Sequence, residues 1–233
     1  MIVSWFSAGV SSFVSAHLMK DKLDKVLYID IQDHHVDSRR FLKDCQEKLG
    51  IEIETLQSKY ESVDNVIKQF RFINSAYGAK CTDVLKKRVR KEWERKNKSD
   101  IEYVWGFDLT EKHRAERLVE SMPEYKHHFP LIDAQLTKND VHGYAQKLGI
   151  KRPIMYDLGY NNNNCVGCVK GGMGYWNKIR VDFPDVFNRM AITEREIGRS
   201  CIKGVFLDEL EPSRGRMTEE VLEDCSIACQ ILI

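Results

Sequence analysis

The sequence predicts an α/β protein: a doubly wound, mostly parallel sheet with helices on both faces and a cysteine-rich C-terminal extension. Three observations predict it. Short apolar runs and amphipathic segments alternate from the N-terminus in the order strand, helix, strand, helix, strand, the pattern of a parallel sheet covered on both faces. The first apolar run passes into a turn of small residues and then a helix, as βα units do. Near residue 160 the composition changes to glycine, asparagine and paired cysteine. The expected division is therefore an α/β domain over 1–160 and a cysteine-rich region over 161–233, packed on the same domain.

Composition narrows the class. The 233 residues suffice for one sizeable core. Hydrophobic residues at 42% and charged residues at 30% fit a water-soluble globular chain. The net charge of +1 excludes a whole-protein field directed at nucleic acid or membrane. No apolar run approaches the roughly 18 residues of a membrane span. The N-terminus is apolar but lacks the basic flank of a secretion signal. The expectation is a cytoplasmic protein with no membrane partner.

Ile2, Val3, Trp5 and Phe6 make the first strand. Ser7, Ala8, Gly9, Val10, Ser11 and Ser12 make the turn, and Phe13 to Leu18 the start of a helix. Small side chains admit an anion to the backbone, and the free N–H groups of the helix start point at it. An ordinary βα turn has the same appearance in sequence.

Lys25 to Ile31 is the second strand, with Asp30 at its end. Asp37 or Ser38 caps a helix whose apolar face is Phe41, Leu42, Cys45 and Leu49 and whose stop is Gly50. Cys45 on that face reads as a small buried hydrophobe. Ile51 to Leu56 alternates as a third strand, and Glu61 to Phe72 reads as a helix. Thr82 caps a helix to about Asn97 with Leu85, Val89 and Trp93 on one face. Over 85–98 the other faces are strongly basic, a solvated surface or a nucleic-acid contact. Cys81 precedes this helix, where N–H groups favour a thiolate.

Ile101 to Phe107 is a strand ending in Gly106-Phe-Asp, and strand carboxyl ends are where open α/β sheets bind ligands. Arg114, in the opening turns of the next helix, reads equally as a phosphate contact or a surface ion pair. Pro130 to Asp133 reads as extended. Thr137 and Asp140 form a capping box for a helix to Leu148. Trp176 to Phe187 reads as helical with a break near Pro184, and Glu194 to Ile197 as a short helix.

Seven cysteines stand at 45, 81, 165, 168, 201, 225 and 229. The odd number and clustering point to metal binding or thiol chemistry over a disulfide framework. Cys165-x-x-Cys168 has the spacing of a metal knuckle, with a redox dithiol as its rival. Cys201 reads as structural. Cys225 and Cys229 share a face if helical, either as further ligands or as a thiol pair.

These residues resemble the phosphoadenosine phosphosulfate (PAPS) reductase family, within the PP-loop adenine-nucleotide superfamily. Ser7-Ala-Gly-Val-Ser-Ser resembles the PP-loop, with Ala8 in place of a glycine and Ser11 in place of an aspartate. Tyr28-Ile-Asp with Asp37 to Phe41 resembles the second strand and its helix. Lys80-Cys-Thr-Asp resembles the mid-chain cysteine motif. Pro130-Leu-Ile-Asp, Thr137-Lys-Asn-Asp-Val, Tyr156-Asp-Leu-Gly-Tyr and Cys165-x-x-Cys168 resemble the later segment.

The resemblance implies an adenine nucleotide, ATP or PAPS, at the carboxyl edge of the sheet. Ser7, Ala8, Gly9, Val10, Ser11 and Ser12 would hold its phosphate or sulfate, with Asp30 near the ribose or adenine and Gly106 and Arg114 as further contacts. It implies sulfur chemistry: sulfonucleotide reduction, with Cys225 or Cys229 attacking sulfur, or ATP-dependent sulfur transfer. It also implies a 4Fe–4S cluster, with zinc as the alternative, on Cys81, Cys165 and Cys168; Cys201, Cys225 or Cys229 would complete the set, or one iron stays open. Implied partners are a thiol or ferredoxin-type electron donor, tRNA or another nucleic acid on the 85–98 helix, and a second copy of the chain. The competing reading is a zinc-stabilised nucleic-acid-binding or nucleotide-sensing module without turnover.

Overall fold

The computed structural model describes residues 1–75, 78–97 and 99–216. In chain order the elements begin with β1 (Ile2–Phe6), α1 (Val10–Leu18), β2 (Lys25–Asp30), α2 (Asp37–Leu49), β3 (Ile53–Gln57) and α3 (Val63–Phe70). A short antiparallel pair, β4 (Asn74–Ser75) and β5 (Gly78–Ala79), precedes a π-helical turn (Thr82–Lys87) that runs into α4 (Arg88–Lys96). There follow β6 (Glu102–Val104), α5 (Lys112–Ser121), β7 (Lys126–His128), α6 (Pro130–Asp133), α7 (Lys138–Lys147), α8 (Ile154–Asp157), α9 (Met173–Asp182) and α10 (Pro184–Ile197).

Two compact units are present. The first takes Met1–Ile29, Val36–Leu56 and Lys91–Asn163; the second takes Asp30–His35, Gln57–Arg90 and the chain from Asn164. The first holds a five-stranded parallel sheet in the order β3-β2-β1-β6-β7. Successive strand residues face opposite sides. Phe6, Val26, Tyr28 and Ile53 join Phe13 and Val14 of α1, Phe41 and Cys45 of α2 and Val141 of α7 in one core. On the opposite face Trp5 meets Trp93 of α4 edge-on at 5.9 Å. The sheet is thus covered on both faces, as expected. The strand order reverses between β1 and β6, and such a switch point opens a crevice at the strand carboxyl ends.

Several sequence expectations hold. Gly50 ends α2 at φ 68°, the left-handed stop that glycine adopts freely. The Thr137–Asp140 capping box forms. Cys45 is fully buried, and burial pushes its thiol far above the ordinary range. Others are corrected. Pro130–Asp133 is a helical turn, with Pro130 at the first helical position where its missing N–H costs nothing. Pro184 likewise starts a helix, so the expected short helix at Glu194–Ile197 is the end of a continuous α10. Among the described residues no helix is long and apolar enough to cross a membrane.

In the second unit α3, α9 and α10 pack together. Ile67, Trp176, Ile179 and Phe187 are buried there, and Thr193 Oγ1 donates to Asp64 Oδ1 at 3.0 Å.

Candidate functional site

The loop after β1 lies at the switch point of the sheet. Ser7 N and Ser7 Oγ both reach Ser12 Oγ, at 3.1 and 3.2 Å, and Ser12 Oγ donates to Gly9 O at 2.8 Å. Gly9 is the N-cap of α1 and offers no side chain to the helix, and the first turn of α1 carries no acidic residue. The opening N–H groups of α1 are therefore not capped by a side chain, and the helix start favours negative charge. The loop's geometry suits a phosphate or sulfate.

Gly106 follows β6. A β-carbon placed on it would meet Ser12 N at 2.8 Å and the Ser11 carbonyl carbon at 2.9 Å. Ser15 Oγ donates to Trp105 O at 2.8 Å nearby. The structure brings Gly106 against the loop backbone, where only a hydrogen in place of a side chain fits. Arg114 is buried, paired with Glu111, with its guanidinium 5.0 Å from the Phe107 ring centroid. Asp30 ends β2 and is the first residue assigned to the second unit.

Sequence reasoning assigned no role to two residues that border the loop, Asn163 and Tyr156. Asn163 Nδ2 donates to Ala8 O at 2.8 Å and to Ser38 Oγ at 3.0 Å. The Tyr156 hydroxyl lies 3.3 Å from where a Gly9 β-carbon would stand. The segment carrying Tyr156 is tied to α2: Ile154 N donates to Asp37 Oδ2 at 2.8 Å, and Arg40 donates to Lys151 O at 2.9 Å. The run of four asparagines at 161–164 marked a shaped loop, but not which of its side chains turns inward.

The described cysteines other than Cys45 belong to the second unit. The Cys165–Cys168 turn is built on the Tyr175 hydroxyl. That oxygen accepts Gly167 N at 3.0 Å and Cys168 N at 2.9 Å, and donates to Cys165 O at 3.3 Å. Gly167 takes φ 78°, which the turn requires. Cys165 and Cys168 are buried and Cys81 is half-buried. Asn74 Nδ2 bridges Val169 O at 2.5 Å and Cys201 O at 3.1 Å. Cys201 N and Leu207 N donate to the two carboxylate oxygens of the fully buried Glu194. Burial raises the Glu194 carboxyl above its ordinary range. Burial first, then the Glu194 charge, raises the Cys201 thiol.

Among the described residues no three His, Cys, Asp or Glu side chains gather closely enough to hold a metal ion. The described thiols do not by themselves fit a 4Fe–4S cluster or zinc. Cys225 and Cys229, the expected catalytic thiols, lie outside the described residues.

A search among curated proteins found no match to the chain. A family model for the phosphoadenosine phosphosulfate reductase domain matches residues 1–171. That match spans the sheet, the loop after β1 and the Cys165–Cys168 turn, the same stretch that carried the sequence resemblance, and the chain belongs to the phosphoadenosine phosphosulfate reductase domain family.

Proposed function

We propose that the protein is an adenine-nucleotide-binding enzyme of sulfur metabolism whose nucleotide phosphate or sulfate sits in the loop 7–12. The single observation that carries this reading is the side-chain-free start of α1 at Gly9, at the switch point of a parallel sheet. Ser7 and Ser11 lie half-exposed in that loop and supply hydroxyl donors. Ser12 closes the turn. The buried Arg114 acts through Glu111 and Phe107 to shape the wall after β6.

Two reactions fit the site. In sulfonucleotide reduction a thiolate of Cys225 or Cys229 attacks the sulfur of PAPS; the S–O bond breaks and the nucleoside phosphate leaves as an anion, which the loop N–H groups stabilise. In ATP-dependent sulfur transfer the loop holds pyrophosphate while an acceptor is adenylated. Cys81, Cys165 and Cys168 are not gathered into one metal-holding group, so an iron–sulfur or zinc centre would need donors from beyond the described residues, and neither reaction is routed through one.

The test is incubation of the full chain, with dithiothreitol as reductant, with PAPS or with ATP. Sulfite release identifies the first reaction and pyrophosphate release the second. Calorimetric titration showing that neither nucleotide binds would overturn the proposal. Anaerobic metal analysis with an absorption spectrum separates iron–sulfur from zinc.

A further inference from the structure

The loop after β1 holds a conformation that its sequence resists. Ala8 stands at φ 56°, where the β-carbon of an L-residue crowds the following carbonyl oxygen. Ala8 is buried, in the same core cluster as Phe6, Val10 and Phe13. The loop's own side-chain hydrogen bonds run among Ser7, Gly9 and Ser12 and bypass Ala8.

Ala8 is held from far along the chain. Asn163, 155 residues away, donates from Nδ2 to Ala8 O. The residue is 6% exposed, and its Oδ1 is buried with no hydrogen-bond partner among the described residues. A reversed amide would set its oxygen against the Ala8 carbonyl, so the acceptor fixes the orientation. A buried polar atom left unpaired is costly. Asn163 bears that cost while its nitrogen stays on Ala8 O and Ser38 Oγ.

We propose that Asn163 is the positioning residue of the phosphate loop. Its Nδ2 grips the Ala8 carbonyl and so maintains the left-handed turn that aims the N–H groups of Val10, Ser11 and Ser12 at the nucleotide. The inference rests on reading this loop as the nucleotide site. A glycine at position 8 would adopt the same φ without penalty and would not need the grip. Ala8 and Asn163 therefore act as a compensating pair.

The test compares the native chain with Ala8→Gly, Asn163→Ala and the double variant, by calorimetric titration with ATP and PAPS and by the thermal midpoint without nucleotide. Asn163→Ala is expected to weaken binding about tenfold, the scale of the left-handed penalty. Ala8→Gly alone should change it by less than about threefold, and the double variant should recover most of the tenfold loss. Ser38→Ala keeps the Ala8 bond and should stay within about twofold of the native chain. A double variant as weak as Asn163→Ala would overturn the inference. If the native chain binds neither nucleotide, the functional reading fails, and the midpoints decide the grip alone: recovery in the double variant supports it, and simple addition of the two single losses overturns it.

Discussion

The Tyr175 hydroxyl accepts the backbone N–H of Cys168 at 2.9 Å, and the same oxygen accepts Gly167 N at 3.0 Å. One side-chain atom therefore satisfies two backbone donors of the Cys165–Cys168 turn. Tyr175→Phe removes it and leaves two N–H groups unpaired. The expected loss of stability is about 1–3 kcal/mol, read as a lower urea midpoint with an unchanged slope. Reaction of Cys165 and Cys168 with a thiol reagent should quicken in the same variant.

Gly106 and Gly143 should respond to alanine in opposite directions. A β-carbon at Gly106 would stand under 3.0 Å from the backbone of Ser11 and Ser12, whereas one at Gly143 meets nothing within 4 Å. Gly106→Ala should cost about 1–3 kcal/mol and lower nucleotide affinity, because the atoms it displaces are the loop itself. Gly143 lies inside α7, so Gly143→Ala should add about 0.5–1 kcal/mol. Chemical denaturation of the two variants in parallel checks the contrast.

Stability should fall with pH below the ordinary histidine range. Burial, followed by the nearby Arg152 and Lys138 charges, lowers the His142 pKa; Asp108 opposes this. Burial and Lys20 lower that of His17. A folded pKa below the unfolded value means that the unfolded chain binds more protons in the interval between them, so stability is full above about 6.5 and is lost as pH falls through the folded value. Urea midpoints at several pH values should show this slope. His142→Gln should reduce it but not abolish it, since His17 remains.

Glu194→Gln replaces a carboxylate that accepts two backbone N–H groups with an amide that has one acceptor oxygen. Cys201 N or Leu207 N then faces an amide nitrogen. The expected cost is about 1.5–3 kcal/mol, measured by chemical denaturation. Hydrogen exchange at Leu207 N should quicken, because the chain loses the group that ties Cys201 to Leu207.

Much of the fold was legible because its determinants are local. The alternation in β1 and β2, the stripe of Phe41, Cys45 and Leu49 and the Gly50 stop are read within a few residues. The edge strand β7 was not. Lys126, His127 and His128 are polar, and only contacts distant in sequence, such as His127 Nδ1 with Trp105 Nε1 at 3.0 Å, place them in the sheet. Proline misled at 130 and 184, where a helix start and a helix break look alike in sequence. The same division holds for the candidate site. The small-residue loop announces itself, and Gly106 could be suspected at a strand end. Asn163 could not, since its partner is 155 residues away and no spacing rule connects them.

The π-helical turn at Thr82–Lys87 has a consequence for insertions and deletions. Buried pairs at Val84–Leu85 and Val89–Arg90 are five residues apart, one more than an α-helix allows between stacked neighbours. The turn is thus a tolerated one-residue insertion, and it sets the phase of everything N-terminal to it. Shortening the segment by one residue would restore a regular helix and leave Cys81 on nearly the same face, whereas regularising the turn at its present length would swing Cys81 by about 100° about the axis. The wider π turn, rather than the identity of any one side chain, keeps that thiol in phase with the helix that follows.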